Sequence, residues 1–260
     1  MFEFIKYSVS QQTATITINR PDVYNALNTK SKSEIIDALK LANADAQVRS
    51  IILTAEGKAF CSGQDLNDRA VDARKGPVDI GHTLETEWNP LINSIRSSRK
   101  IVIAAINGVA AGAGLSIVLA CDFKVALPKV RFISGFTQIG LCPDAGLSFQ
   151  LVQTMGYTQA LSYALLGQPM LSEEMLSRGF INSISEDIMQ EAQLMAGKIN
   201  LLAPLSVEHV KRNFQQAQES PFSEVLEIEK KSQQFLGFSQ DYREGVTAFL
   251  EKRSPQFKGQ

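Results

Sequence analysis

The ten residues Ala105 to Gly114, AINGVAAGAG, constrain this chain more than any other stretch. They lie between two aliphatic runs, Ile101 to Ile103 and Leu115 to Cys121. An apolar segment broken by glycines predicts a buried strand, a sharp turn and a helix that begins inside the protein. A helix start presents unpaired backbone N–H groups and the positive end of the peptide dipole. Glycine and alanine leave those donors uncovered, so an oxygen of a bound molecule can approach them. Developing negative charge is then stabilised without a charged side chain.

Other uses of such a run leave different marks. Residues 101 to 121 are apolar enough for a membrane span, and Gly108 and Gly112 form a GxxxG pair. The Asn107–Gly108 turn signal and the clustered glycines argue against one continuous helix. No third glycine follows Gly112-Ala113-Gly114 as a dinucleotide fingerprint requires, and no Gly-Lys-Ser/Thr completes a phosphate loop. Close packing of a helix on a strand, with no chemistry, stays open.

At 260 residues the chain can form one large domain, with or without an appendage, around a sizeable core. A formal net charge of −1 gives no electrostatic case for nucleic acid or an anionic membrane as partner. Cys61, Cys121 and Cys142 have no Cys-x-x-Cys spacing and read as reduced, buried thiols of a cytoplasmic protein. The start, MFEFIKYSVSQQT, lacks the basic region and long apolar core of a secretory signal. The two histidines, His82 and His209, are far apart in sequence, a poor basis for a metal site or a Ser-His-Asp triad. No metal is expected.

Thr13 to Ile18, TATITI, alternates as a half-buried strand does. Ile35, Leu39 and Ala42 share one face of a helix over 28–43, with Asn28 or Thr29 as its cap. Residues 50–54 predict a strand, 55–66 a loop of small residues, 67–82 a mobile loop, and 84–98 a helix with the single tryptophan, Trp88. Short strands over 123–126 and 130–133 precede helices over 147–155, 159–166, 172–178, 187–201, 204–217, 221–236 and 241–252. Ser172 offers a cap to the third of these helices, and Pro204 and Pro221 suit helix starts. The economical division is an α/β core over 1–200 and a helical region over 201–260.

Three loops come in a fixed order: KAFCSGQDL (Lys58 to Leu66), AINGVAAGAG, and IGLCPDAG (Ile139 to Gly146). With NRPDVYNALN (Asn19 to Asn28) and the C-terminal FLEKRSPQFKG, this set resembles the crotonase superfamily, also called the enoyl-CoA hydratase/isomerase family, over essentially the whole chain. The resemblance implies an α/β fold, a crotonase-like spiral of repeated ββα units that binds acyl-CoA. It implies that the C-terminal helices serve oligomerisation, as homotrimers or dimers of trimers. The implied substrate is an acyl-CoA thioester; coenzyme A enters as part of that substrate, with no separate cofactor. Two backbone N–H donors to the thioester oxygen are implied at Gln64 and Ala113, the latter beside Gly112. CoA contacts are implied from Val23, Ala26, Leu27, Ser62, Gly63, Asp65 and Leu66. Asp65 is also expected to shape its loop through a side-chain-to-backbone hydrogen bond.

Hydratases of the superfamily carry two glutamates that position and activate water. The matching positions here are Ser116 and Phe136, and neither is a carboxylate base. Asp144, in Pro143-Asp144-Ala145-Gly146, matches the acid of the double-bond isomerases. Read without the resemblance, it is a cap for a helix starting near Leu147. A carboxylate in an apolar pocket has a raised pKa, which suits proton transfer. The runs SGQDLNDRAVD (Ser62 to Asp72) and WNPLI (Trp88 to Ile92) narrow the resemblance to isomerases. These rearrange a ring epoxide attached to acetyl-CoA, or shift a 3-enoyl double bond to the 2-position. An enoyl-CoA hydratase and a non-catalytic thioester-binding subunit are the alternatives. Ser116 and Cys142 are expected as packing residues, Glu85, Glu87 and His82 as solvated or lid residues, and Lys252, Arg253 and Lys258 as a solvated terminal cluster.

Overall fold

Two aliphatic runs, SIILTA and IVIAAI, become adjacent parallel strands buried along their whole length, β3 (Ser50–Ala55) and β5 (Ile101–Ile106). Such runs are expected where both faces of a sheet are covered. They form the centre of a six-stranded sheet in a computed structural model that describes residues 2–68, 76 and 78–260. With β1 (Ile5–Ser10), β2 (Thr13–Ile18), β7 (Phe123–Ala126) and β10 (Ser183–Ile184), the order is β1-β2-β3-β5-β7-β10. The β1–β2 pairing is antiparallel and the others are parallel. A second sheet, order β4-β6-β8-β9, holds β4 (Ala59–Cys61), β6 (Val109–Ala111), β8 (Arg131–Ile133) and β9 (Met170–Leu171).

Successive strands therefore go to alternate sheets: β3 then β4, β5 then β6, β7 then β8. This is the spiral that the family resemblance implies. Side chains along β3 and β5 alternate between two cores, as a period of two demands. Ile51, Leu53, Val102, Ala104 and Ile106 join the inner core with Ile35, Ala38, Leu39 and Ala42 of α1 (Thr29–Ala44). Ile52, Ile101, Ile103 and Ala105 point the other way. They meet Ile188, Ala192 and Ala196, which belong to a later helix over residues 188–200.

The remaining helices follow in order: α2 (Ile80–Thr83), α3 (Asn89–Arg96), α4 (Ala113–Ala120), α5 (Leu147–Met155), α6 (Tyr157–Leu166), α7 (Ser172–Ser177), α8 (Ile188–Asn200), α9 (Pro204–Ala217), α10 (Phe222–Gly237) and α11 (Gln240–Glu251). Lys211 ties α9 to the core: its Nζ donates to Asp122 Oδ2 at 2.7 Å and to the Ile95 and Lys100 carbonyls at 3.3 Å. Among the described residues no helix is long and apolar enough to cross a membrane.

Several expectations change. The helix expected over 84–98 is a π-helical turn, Leu84–Trp88, followed by α3. β4 falls within the expected 55–66 loop, and β1 is an edge strand with most side chains solvated. Asn28 caps α1 by accepting from the Ser31 N–H at 2.8 Å. Ser172 does not cap α7; its Oγ donates to the Leu127 carbonyl and accepts from the Val130 N–H. Half of the expected mobile loop, residues 69–75 and 77, lies outside the described residues.

Candidate active site

The glycine-rich run forms the end of β5, then β6, then the start of α4. Gly112 joins β6 to α4 at φ 55° and ψ −129°, a backbone state closed to side-chain-bearing residues. Its N–H donates to the Ile133 carbonyl at 2.9 Å. Ala113, the first helical residue, is buried, and among the described residues its N–H has no acceptor. α4 has no side-chain cap either, so its positive end is bare on this side.

A second backbone lies against this junction. Gly63 has φ 97°, and a Cβ placed on it would be 3.4 Å from the Ala113 nitrogen and 3.1 Å from the Ala111 oxygen. Leu27 and Gln64 form a parallel bridge: the Leu27 N–H donates to the Gly63 carbonyl at 2.8 Å, and the Asp65 N–H to the Leu27 carbonyl at 3.0 Å. In this pairing the peptides flanking Gln64 are used, and its own N–H turns away from Leu27. Among the described residues the Gln64 N–H has no acceptor. Two available donors thus sit on touching backbones.

Segments 23–27 and 62–66, offset by 39 residues in sequence, are brought together here. The Ser62 N–H donates to the Tyr24 carbonyl at 3.1 Å, and Ser62 Oγ lies 3.5 Å from the Val23 carbonyl. Tyr24 and Asn25 adopt φ 53° and 56°, and buried Asn25 holds the turn. Its side chain accepts from the Arg20 N–H and donates to the Glu56 and Ala59 carbonyls. Leu66 and Ser62 are exposed, Val23 is half-buried, and Ala26, Leu27 and Gly63 are buried. The Asp65 carboxylate is buried and engaged, with Oδ2 2.8 Å from Arg20 Nη2 and Oδ1 accepting from the Asn67 N–H at 3.0 Å. It shapes the loop.

Asp144 lies near the same helix start. Its carbonyl accepts from Ser116 Oγ at 3.1 Å, and Ser116 is buried three residues after Ala113. Ala145 and Gly146 follow at φ 52° and 81°, a sharp reversal that leads into α5. The residue preceding α5 is Gly146, which has no side chain with which to cap it. Asp144 is half-buried and its Oδ1 atom is shielded from solvent. Phe136 is buried beside the junction, its ring 3.9 Å from where a Cβ on Gly112 would lie. A cleft of about 340 Å³ opens next to Ser116 and Ala145, lined also by Ile92, Asn93 and Phe149.

Composition and motif gave no warning of the side chains behind Gln64. Lys32 Nζ and Trp88 Nε1 both donate to Gln64 Oε1, each at 2.9 Å, and Glu87 forms an ion pair with Lys32. Glu87, expected as a solvated or lid residue, is therefore held at the edge of the core. A signal did exist, since Lys32 lies three residues before Ile35 on the apolar face of α1. Cys142 is exposed rather than buried, because its loop is open to solvent. Cys61 lies beneath the Gly63 loop, where burial pushes its thiol up to about 12 and keeps it neutral. Arg253 pairs with Glu244 and Glu251 rather than standing free.

Residues 8–260 match the family described as enoyl-CoA hydratase/isomerase. The chain is 36% identical to the 1,2-epoxyphenylacetyl-CoA isomerase of Escherichia coli K12, with 100% of both chains covered. It is 39% identical to a probable enoyl-CoA hydratase of Rhodobacter capsulatus over 99% of each. Its fold superposes on the crystal structure of an enoyl-CoA hydratase from Polaromonas sp. JS666 with a TM-score of 0.92, at 32% identity, covering 97% of this chain and 99% of that one. With its spiral of paired strands and its three loops in order, the chain is an enzyme that belongs to the enoyl-CoA hydratase/isomerase family.

Proposed function

We propose that this enzyme is an acyl-CoA isomerase working through a thioester enolate, with Asp144 as its proton carrier. The observation that carries the proposal is the acid inventory around the helix start. Asp144 stands beside Ser116, tied to it through its carbonyl, and carries a carboxylate oxygen shielded from solvent. Ser116 and Phe136 occupy the positions where a hydratase would aim carboxylates at water. Relatives include both the E. coli isomerase and a probable hydratase, so the choice rests on the acids rather than on identity.

In this reading the thioester oxygen accepts from the Gln64 and Ala113 N–H groups, beside Gly112. Those contacts acidify C2. Asp144 removes a C2 proton from a 3-enoyl thioester, and the electron pair moves onto the oxygen. The same carboxyl returns the proton at C4, so the double bond ends conjugated at C2. With 1,2-epoxyphenylacetyl-CoA the carbon–carbon bond shared by the epoxide and the six-membered ring opens to the seven-membered ring. The electron pair left by the C2 proton is relayed into that ring, and Asp144 returns the proton to a ring carbon, giving the oxepin. Atoms and oxidation state are conserved, so the reaction needs no cofactor or metal beyond the CoA its substrate carries. Each oxyanion donor contributes roughly 10²–10³ in rate and a positioned base roughly 10²–10⁴. Val23, Ala26, Leu27, Ser62, Gly63, Asp65 and Leu66 frame the surface on which the CoA lies, and the cleft beside Ser116 takes the acyl end. A CoA thioester substrate and the buried thiols Cys61 and Cys121 suit a reducing cytoplasm.

The test is a substrate panel for the purified enzyme: a 3-enoyl-CoA, a 2-enoyl-CoA and 1,2-epoxyphenylacetyl-CoA. Conjugation of the first or oxepin from the third is expected. Water addition to the second as the dominant reaction would make this a hydratase, and binding without any product a non-catalytic subunit.

A further inference from the structure

Lys32 is a cation in the wrong place for a purely structural residue. It projects from the apolar face of α1 and is 1% exposed. Its Nζ donates to Gln64 Oε1 at 2.9 Å, lies 4.8 Å from the centre of the Trp88 ring, and is ion-paired with Glu87. Trp88 Nε1 donates to the same Gln64 oxygen at 2.9 Å, and Gln64 Nε2 donates to the Asp65 carbonyl at 3.1 Å. Thr29 Oγ steadies Glu87 from the start of α1 at 3.2 Å. Removing an ammonium from water costs several kcal/mol before pairing, and well-packed hydrocarbon in its place is often neutral or stabilising. Stability alone does not account for the charge.

What the network holds is one peptide. The Leu27 bridge fixes the groups on either side of Gln64, but the Gln64 N–H itself has no acceptor among the described residues. The side chain is the remaining handle on that residue, and three hydrogen bonds grip it. We propose that Lys32 is a positioning residue: through Gln64 Oε1 it fixes the direction of the Gln64 N–H before substrate arrives. This role rests on the isomerase assignment above. Glu87 balances the ammonium locally, so the effect on the thioester oxygen is geometric rather than a long-range field. A donor already aimed where charge will develop loses nothing to reorganisation during reaction.

The network carries its own reporter, since Trp88 is the single tryptophan. The experiment compares wild type with Lys32→Met, Gln64→Leu and Lys32→Met/Gln64→Leu, reading 3-enoyl-CoA isomerisation, Trp88 emission and circular dichroism. Lys32→Met is expected to keep the fold, shift the emission, and lower kcat by about 10-fold to 100-fold with KM little changed, as misplaced catalytic contacts do. The combined variant should be no slower than the slower single one, because both changes break the same link. Should Lys32→Met fold poorly, Lys32→Met/Glu87→Gln removes both members of the Lys32–Glu87 ion pair and is expected to show the same kcat loss. A shifted emission with unchanged kcat overturns the positioning role, as does a combined loss equal to the product of the two single losses. In either case wild-type isomerisation leaves the isomerase assignment standing. A wild type that isomerises nothing removes that assignment and this role together.

Discussion

A Cβ added at Gly114 would lie 2.1 Å from the Cys61 carbonyl oxygen and 2.9 Å from the Cys61 Cβ. That closeness brings the first turn of α4 onto β4 and so sets Ala113 against the Gly63 loop. Gly140 is glycine for another reason: it adopts φ 76° with open space around it. Alanine at 140 should cost roughly 1–2 kcal/mol of backbone strain, whereas alanine at 114 must displace backbone and should cost about 3 kcal/mol or more. Urea unfolding of Gly114→Ala and Gly140→Ala measures both, and equal losses would contradict the close-approach account. The glycine run was legible because few structures tolerate so many small residues at a strand–helix junction. Lys32 was legible in principle from its spacing to Ile35 and Leu39. Glu87 was not, because its partner is 55 residues away in sequence and nothing local marks a surface carboxylate that turns inward.

At the scale of elements, period did most of the work. β2, β3 and the helices beyond residue 187 follow their hydrophobic spacing to within a residue or two, and β5 runs three residues past its aliphatic run. Short elements escaped: β4, β9 and β10 have three residues or fewer and take their shape from a neighbour rather than from their own sequence. The meeting of 23–27 with 62–66 was invisible to periodicity as well. It depends on two consecutive left-handed residues, Tyr24 and Asn25, and on hydrogen bonds from one buried asparagine side chain. Only the resemblance pointed to that contact. The helix expected over 84–98 is interrupted where Glu87 and Trp88 turn toward Lys32 and Gln64, an element boundary set by a tertiary polar network.

For the whole molecule, the C-terminal helices carry several large apolar side chains exposed to solvent. Phe214 is 72% exposed, Phe222 and Phe238 77%, and Phe249 82%. Large exposed apolar surface marks association, and we infer that further copies of this chain cover it, as trimers or dimers of trimers. Sedimentation velocity should find three or six chains, with Phe249→Glu moving the population toward smaller species; a wild-type monomer at micromolar concentration would contradict the inference. The central claim concerns a single carboxyl group, whatever the assembly. Asp144→Asn keeps its size and removes its capacity to carry a proton as a base. Offered a 3-enoyl-CoA beside wild type, the variant should bind the thioester with similar affinity and isomerise it roughly 10²–10⁴ times more slowly. Isomerisation at the wild-type rate would remove Asp144 as the base and the proposed mechanism with it.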